Sequence, residues 1–374
     1  MTTLARPRLH VVYEYGIDSR PHTPSCLRFI RPFTHPGVID QVEATFGWDY
    51  HGQPADLVLL ERLWRPDVTL PAVQQLVERI QRAGARFVYS LDDNFFDLAL
   101  ENKDWPPPGL LPIVEYCLRQ AHGVIVTTPA LKARIRSYNP NLLILPNALD
   151  ERLLVRRPPP PLSLVGRADP HPQPLSLVGR GGGGGAPPPL GYMGPPPPDE
   201  DLQLVLPAIR SVSRRHAGRL ELQLIGAVRS EAAQKQLSDL PVRFIAPDPR
   251  ETEYPLFMLW FTANTRWDIA ISPLRDTPFN CCKSDIKFLD YAAIAAAGIF
   301  SRCPAYSATV QHQHTGWLAE NTPDAWEDAL ERLIADPDLR LHLASQANQY
   351  LYAQRTLAQR AQDWVAAVHH LLSD

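Results

Sequence analysis

Short apolar runs alternate with amphipathic stretches along nearly the whole chain, and that alternation admits few folds. Leu9–Tyr15, Leu57–Leu60, Phe87–Leu91, Val124–Thr127 and Leu142–Leu145 read as buried strands. Between them Thr69–Ala83, Leu110–Ala121 and Pro129–Tyr138 carry helical spacing, with Pro71 suited to a first turn. The pattern resumes with strands at Gly191–Gly194, Leu220–Ile225, Val242–Ile245, Ile269–Ser272, Ile299–Arg302 and Gly316–Leu318. Helices are predicted at Asp201–His216, Tyr254–Ala263, Ser284–Ala297, Pro323–Ala335 and Leu339–Tyr352. Strands joined through helices imply parallel sheets. Continuous apolar strands such as FVYSL and DIAISPL imply sheets covered on both faces. The 374 residues exceed one ordinary core, so two domains are expected, 1–155 and 191–374. The fold class is α/β, two Rossmann-like domains facing across a cleft at the C-terminal ends of their strands. A last helix, Leu357–Leu371, carries Trp364, Val365, Val368 and Leu371. It has two readings: it packs back on the first domain, or it stays on its own.

Residues 156–190 break the pattern. They contain Pro158–Pro161, Gly181–Gly185, Pro187–Pro189 and the heptapeptide PLSLVGR twice, at Pro161–Arg167 and Pro174–Arg180. Two copies of seven residues cannot make a solenoid. Proline removes backbone donors and glycine costs entropy on ordering, so this inter-domain insert is predicted to be a disordered linker. A proline-rich docking ligand is the alternative.

The bulk numbers exclude several classes. A formal net charge of -3 does not suggest a nucleic-acid partner. Five cysteines, Cys26, Cys117, Cys281, Cys282 and Cys303, are odd in number and lack metal spacing. They read as reduced thiols of a cytoplasmic protein, with no metal and no cofactor expected. No run approaches the ~20 apolar residues of a membrane helix, which leaves a peripheral membrane contact open.

The chemistry concentrates in Ile271–Gly298, ISPLRDTPFNCCKSDIKFLDYAAIAAAG. A strand ends, a polar loop follows, and a helix is expected to begin with Ser284 as N-cap. Lys283 and Lys287 fall at the positive end of that helix dipole, where unpaired lysines are unfavourable and a bound diphosphate reverses the sign. Lys283, Lys287 and Asp290 share one helical face at i, i+4 and i+7. Lysines there can hold phosphates while the carboxylate accepts from ribose hydroxyls. The plainer reading is a surface face with a Lys287–Asp290 pair.

This stretch resembles the donor-binding region of family 4 (group 1) glycosyltransferases, which have the GT-B fold. The resemblance rests on Pro273, Leu274, Phe279, Asn280, Lys283, Ser284, Lys287, Leu289, Asp290, Tyr291 and Gly298. It continues through GIFSRCPAYSATVQHQHTGWLAENTPDAWEDALERLIADPDLR, and upstream in AHGVIVTTPALKARI and ILPNALD. It implies transfer of a sugar from a nucleoside diphosphate sugar to an acceptor hydroxyl, with retention and usually without a metal. It implies a glycan or lipid-linked acceptor, and surface polysaccharide or another glycoconjugate as the setting. By position, Asp290 stands where the family has the ribose-binding second glutamate of Glu-x7-Glu. Lys283 and Lys287 fall on diphosphate contacts, with Asn280 and Ser284 in the same motif and Arg275 as a helper. The family's first glutamate falls on Cys282, and Asp290 is one methylene shorter than the second. Gly194 permits close backbone approach to phosphate, but Pro195–Pro198 and Asp199, Glu200 and Asp201 follow it where many members carry an arginine and a lysine.

In the first domain, YSLDDNFFDL places Asp92 and Asp93 at a strand's C-terminal end, the cleft edge. As catalytic carboxylates they could orient an acceptor hydroxyl or stabilise positive charge on the sugar ring. Capping of the next turn and a metal–diphosphate motif are the other readings. Arg20, His22, Arg28, Arg31 and His35 are expected in a loop on the acceptor side, and Glu61, Arg62 and Arg65 after the second strand as acceptor contacts or local salt bridges. The rival functions are a sugar-nucleotide epimerase or phosphorylase of the same fold, and a non-catalytic binding protein that keeps the fold.

Overall fold

The computed structural model describes residues 6–16, 19–102, 105–107, 109–155, 188–194, 200–216, 220–226 and 235–373. The insert predicted at 156–190 therefore lies almost wholly outside the described residues. The remainder forms two six-stranded sheets, parallel throughout.

The first sheet contains β1 (Arg8–Val12), β2 (Glu43–Gly47), β3 (Leu57–Glu61), β4 (Arg86–Leu91), β5 (Gly123–Val126) and β6 (Leu142–Ile144), ordered β2-β1-β3-β4-β5-β6. The second contains β7 (Pro189–Met193), β8 (Glu221–Ile225), β9 (Val242–Ile245), β10 (Ile269–Ser272), β11 (Ala297–Ser301) and β12 (Trp317–Ala319), ordered β12-β11-β10-β7-β8-β9. Counted within its own domain, the second order is the Rossmann order, and the first is flavodoxin-like with one strand added. Every residue of β3 and β11 is buried, as strands covered on both faces require.

The crossover helices form where caps and periodicity agree. Thr69 caps Leu70–Arg82 by accepting from the Ala72 amide at 3.4 Å, and Val73, Leu76, Val77 and Ile80 make the buried stripe. Thr128 and Thr322 cap Pro129–Ile135 and Pro323–Ala335 in the same way. Gly191 in β7 has a packing cause: a Cβ there would lie 1.8 Å from the Trp267 ring.

Several elements differ from the sequence reading, among them the helix expected at Ser284–Ala297, which runs Ile286–Ala293 with Ala297 opening a strand, and the expected loop before it, where Pro278–Cys281 is helical. Residues 23–33, expected as a loop, form a continuous helix of Thr23–Ser25, a π-helical stretch Cys26–Ile30, and Arg31–Phe33. Strand β2 and the helix Phe95–Glu101 were not expected. The final helix, Leu357–Ser373, lies on the first sheet. Trp364, Val365, Val368 and Leu371 pack with Leu9, Val11, Phe29 and Phe33, and Arg86 Nη1 donates to the Leu371 carbonyl at 2.8 Å.

Candidate functional site

The loop after β10 crosses to the carboxyl edge of the first sheet. Thr128 Oγ1, beyond β5, donates to the Cys282 carbonyl at 2.9 Å. Asn94 Nδ2, beyond β4, reaches Cys282 Sγ at 3.5 Å, and Asn147 Nδ2, beyond β6, donates to Ser284 Oγ at 3.0 Å. The Phe279 amide donates to Glu101 Oε1 at 3.0 Å. The C-terminal edges of the two sheets therefore face each other.

Cys282 is buried in the first domain's core cluster. Asp285 is held in a bidentate pair by Arg355 at 2.6 and 2.9 Å, and Arg355 Nη2 also donates to the Asn147 carbonyl at 2.9 Å. Ser284 does not cap the helix, as had been expected. The helix is Ile286–Ala293, its N-cap is Asp285, and the Ser284 hydroxyl is engaged by Asn147 instead.

The predicted donor residues divide into two groups. Lys287 and Asp290 stand together on this helix, whereas Lys283, expected on the same helical face, precedes the helix and lies outside it. Lys283 Nζ lies 4.9 Å from the Phe279 ring centroid, and Lys287 Nζ is 3.9 Å from Asp290 Oδ2. Burial pushes the Asp290 carboxyl up to about 6 against the pull of Lys287. The other group is occupied in holding the loop. Asp201 Oδ1 accepts from the Arg275 amide at 2.9 Å and from Asn280 Nδ2 at 3.1 Å, while the Arg275 guanidinium pairs with Glu200. Asn280 Nδ2 also donates to the Arg275 carbonyl at 3.1 Å. Gly194 follows β7, its amide donating to the Ile225 carbonyl at 3.2 Å.

Opposite, Asp92 and Asp93 follow β4, and both pair with Arg62 Nη1, at 2.8 and 3.2 Å. Arg62 Nε lies 2.9 Å from Glu14 Oε2. Behind them Glu61 is fully buried, accepts from Ser25, and is pushed by burial up to about 8. Burial and the Asp92 charge raise the Asp93 carboxyl, while Arg62 and Lys283 pull it down. Among the described residues, no group of three or more His, Cys, Asp or Glu is arranged to hold a metal ion.

The basic residues expected in an acceptor loop are mostly in ion pairs. Arg31 pairs with Asp150, and His35 Nε2 lies 3.0 Å from Glu151 Oε1. Arg28 is buried, donating to Asn147 Oδ1 at 3.1 Å. Sequence reasoning missed Glu14, which carried no motif, and the burial of Glu61 and Arg28.

The arrangement can be compared with solved proteins. The Anabaena protein HepE, solved with UDP and glucose, superposes with a TM-score of 0.63 at 12% identity, covering 98% of this chain and 100% of that one. The fold is GT-B. A glycosyltransferase from Rickettsia africae gives 0.61 at 9% identity, covering 99% of each chain. Sucrose-phosphate synthase from Thermosynechococcus elongatus gives 0.58 at 14%, covering 85% of this chain and 74% of that one. No protein-family model and no characterised protein matches by sequence. Among the described residues, no helix is long and apolar enough to cross a membrane.

Proposed function

We propose that this GT-B chain is a glycosyltransferase that moves a sugar from a nucleoside diphosphate sugar to an acceptor hydroxyl, with retention. The observation that carries the reading is the seating of the loop that bears Lys283 on the carboxyl edge of the first sheet, through Thr128, Asn94 and Asn147, with Lys287 beside Asp290 on the helix that follows. Lys283 and Lys287 offset the diphosphate charge at the helix N-terminus. Ionised Asp290 accepts from the ribose hydroxyls, and Gly194 lets the backbone approach the phosphates. The bond between the anomeric carbon and the phosphate oxygen breaks, the acceptor oxygen bonds to that carbon, its proton passes to the departing phosphate oxygen, and the nucleoside diphosphate leaves. Asp92 and Asp93 orient the acceptor and stabilise the positive charge that develops on the ring. HepE was solved with UDP and glucose, which supports a uridine diphosphate sugar as the first donor to try. A glycan or lipid-linked acceptor, surface-polysaccharide synthesis and a cytoplasmic setting with peripheral membrane contact complete the reading on grounds of resemblance.

A second reading is favoured by one specific observation. Glu200 and Asp201, in the first turn of the helix after Gly194, pair with Arg275, so acids stand where leaving-group bases are expected. A non-catalytic member of the fold would carry such a loss. Turnover separates the two. Release of nucleoside diphosphate from a panel of donors is expected, with most of it lost in Lys283→Ala and Asp290→Ala. Unchanged release in both variants contradicts the assignment.

A further inference from the structure

An aromatic surface continues the carboxylate edge of the first sheet. Tyr13 and Tyr15 follow β1 on either side of Glu14, whose buried carboxylate meets Arg62. Trp48 follows β2, and its side chain is among the most exposed large apolar groups of the described chain, at 55%. The Tyr13 and Tyr15 rings lie 6.5 Å apart edge to face, and the Tyr15 and Trp48 rings 6.3 Å apart.

This surface is built, not draped. The Trp64 indole donates to the Trp48 carbonyl at 2.7 Å, and the Trp64 carbonyl accepts the Tyr15 amide at 3.0 Å. The Tyr13 amide is fixed to the Gly47 carbonyl at 3.0 Å. Trp64 itself is buried and carries the Arg65 guanidinium on its face at 4.4 Å. To make these bonds the segment turns left-handed at two non-glycine residues, Arg62 at φ 45° and Trp64 at φ 61°. Such conformations persist where surrounding structure over-determines them, and they cluster at ligand-binding sites. Arg62 is also the guanidinium that gathers Glu14, Asp92 and Asp93, so one strained turn sets both the carboxylates and the aromatic surface.

We propose that Tyr13, Tyr15 and Trp48 form an acceptor subsite that stacks a sugar ring, so that the acceptor is itself a saccharide at the end to be extended. This rests on the glycosyltransferase reading. Aromatic rings with a polar tip supply what a pyranose needs, an apolar face for its axial C–H groups and hydroxyls for its rim. The chemistry on offer is amphipathic, and the charged groups behind it are paired, Arg62 with Glu14, Asp92 and Asp93. Trp48 gives the exposed face, Tyr15 joins it to Tyr13, and Glu14 between the two tyrosines pairs with the Arg62 that holds Asp92 and Asp93.

The test is saturation-transfer NMR on the full chain with methyl glycosides and short oligosaccharides, with and without UDP, alongside UDP calorimetry. At least one saccharide is expected to receive saturation at its ring C–H protons. Trp48→Ala and Tyr15→Ala should weaken that binding about tenfold or more and leave UDP affinity unchanged. Trp48→Phe should restore a substantial part. Equal saccharide binding in wild type and both alanine variants overturns the subsite, as does UDP binding without any saccharide binding. Saccharide binding that depends on Trp48, in a protein that binds no nucleotide, supports the subsite and defeats the transferase reading. Binding of neither defeats both.

Discussion

Glu61 is a single side chain whose surroundings have a measurable consequence. It lies buried behind Arg62, beside Glu14 and Asp92, and is pushed from 4.5 to about 8. The sign follows directly. Below pH 4.5 the carboxyl is protonated in both folded and unfolded chains. Above that pH only the unfolded chain ionises, so folding stability falls as pH rises, until the folded carboxyl also ionises near 8. The loss is on the order of a few kcal/mol for a shift of this size. Urea titrations from pH 5 to 9 should therefore show a shallower decline in Glu61→Gln than in the wild type, and identical profiles would contradict the assignment. None of this was visible in the sequence, where Glu61 follows the apolar run LVLL and reads as the first polar residue outside a strand. The Lys287–Asp290 pair was legible because helical spacing alone brings the two to one face, whereas Lys283 precedes the helix and does not share it. Glu14 was not, because its partner Arg62 is 48 residues away and only the pairing of β1 with β3 brings them together.

Among the elements, those with strong apolar periodicity and a threonine cap emerged close to their predicted bounds, Pro323–Ala335 among them. Strand β2 escaped notice because it is a half-exposed edge strand, EATFG, with no buried alternation to mark it. The helix at residues 23–33 escaped because its prolines and arginines read as a loop, whereas Arg28 is in fact buried. Periodicity also could not say which sheet the last helix covers, since an apolar stripe does not name its partner. Gly123 makes that docking testable. A Cβ at this position would lie 2.3 Å from Leu371 Cδ2. Gly123→Ala should loosen the Leu357–Ser373 helix, seen as faster amide hydrogen exchange there and a loss of about 1–3 kcal/mol. Unchanged protection of that helix would show that its attachment lies elsewhere.

For the whole molecule, two sheet edges are held face to face by apolar packing of Cys26, Leu27, Leu149, Leu153 and Leu154 with the second half and by a few buried polar contacts. Arg355 is the centre of them, bonded to Asp285 of the second half and to the Asn147 carbonyl of the first. Removing one partner of a buried pair leaves the other uncompensated, at a cost of about 3–5 kcal/mol. Arg355→Leu should lower stability by that order and widen the angle between the halves in small-angle scattering. A variant as stable and as compact as the wild type would show that the halves are held by other means. The two-domain α/β architecture followed from strand–helix alternation, because parallel sheets leave that pattern throughout the chain. The contacts across the cleft did not, since each joins residues more than a hundred positions apart with no local signature.

We propose that Lys283, Lys287 and Asp290 hold a nucleotide at the meeting of the two edges. Calorimetric titration of the purified chain with UDP, GDP, ADP and TDP tests it most directly. One nucleotide should bind specifically, and Lys283→Ala should weaken it by about tenfold or more, a loss of roughly 1.4 kcal/mol. A well-folded protein that binds none of the four, or that binds one equally well without Lys283, would contradict the account.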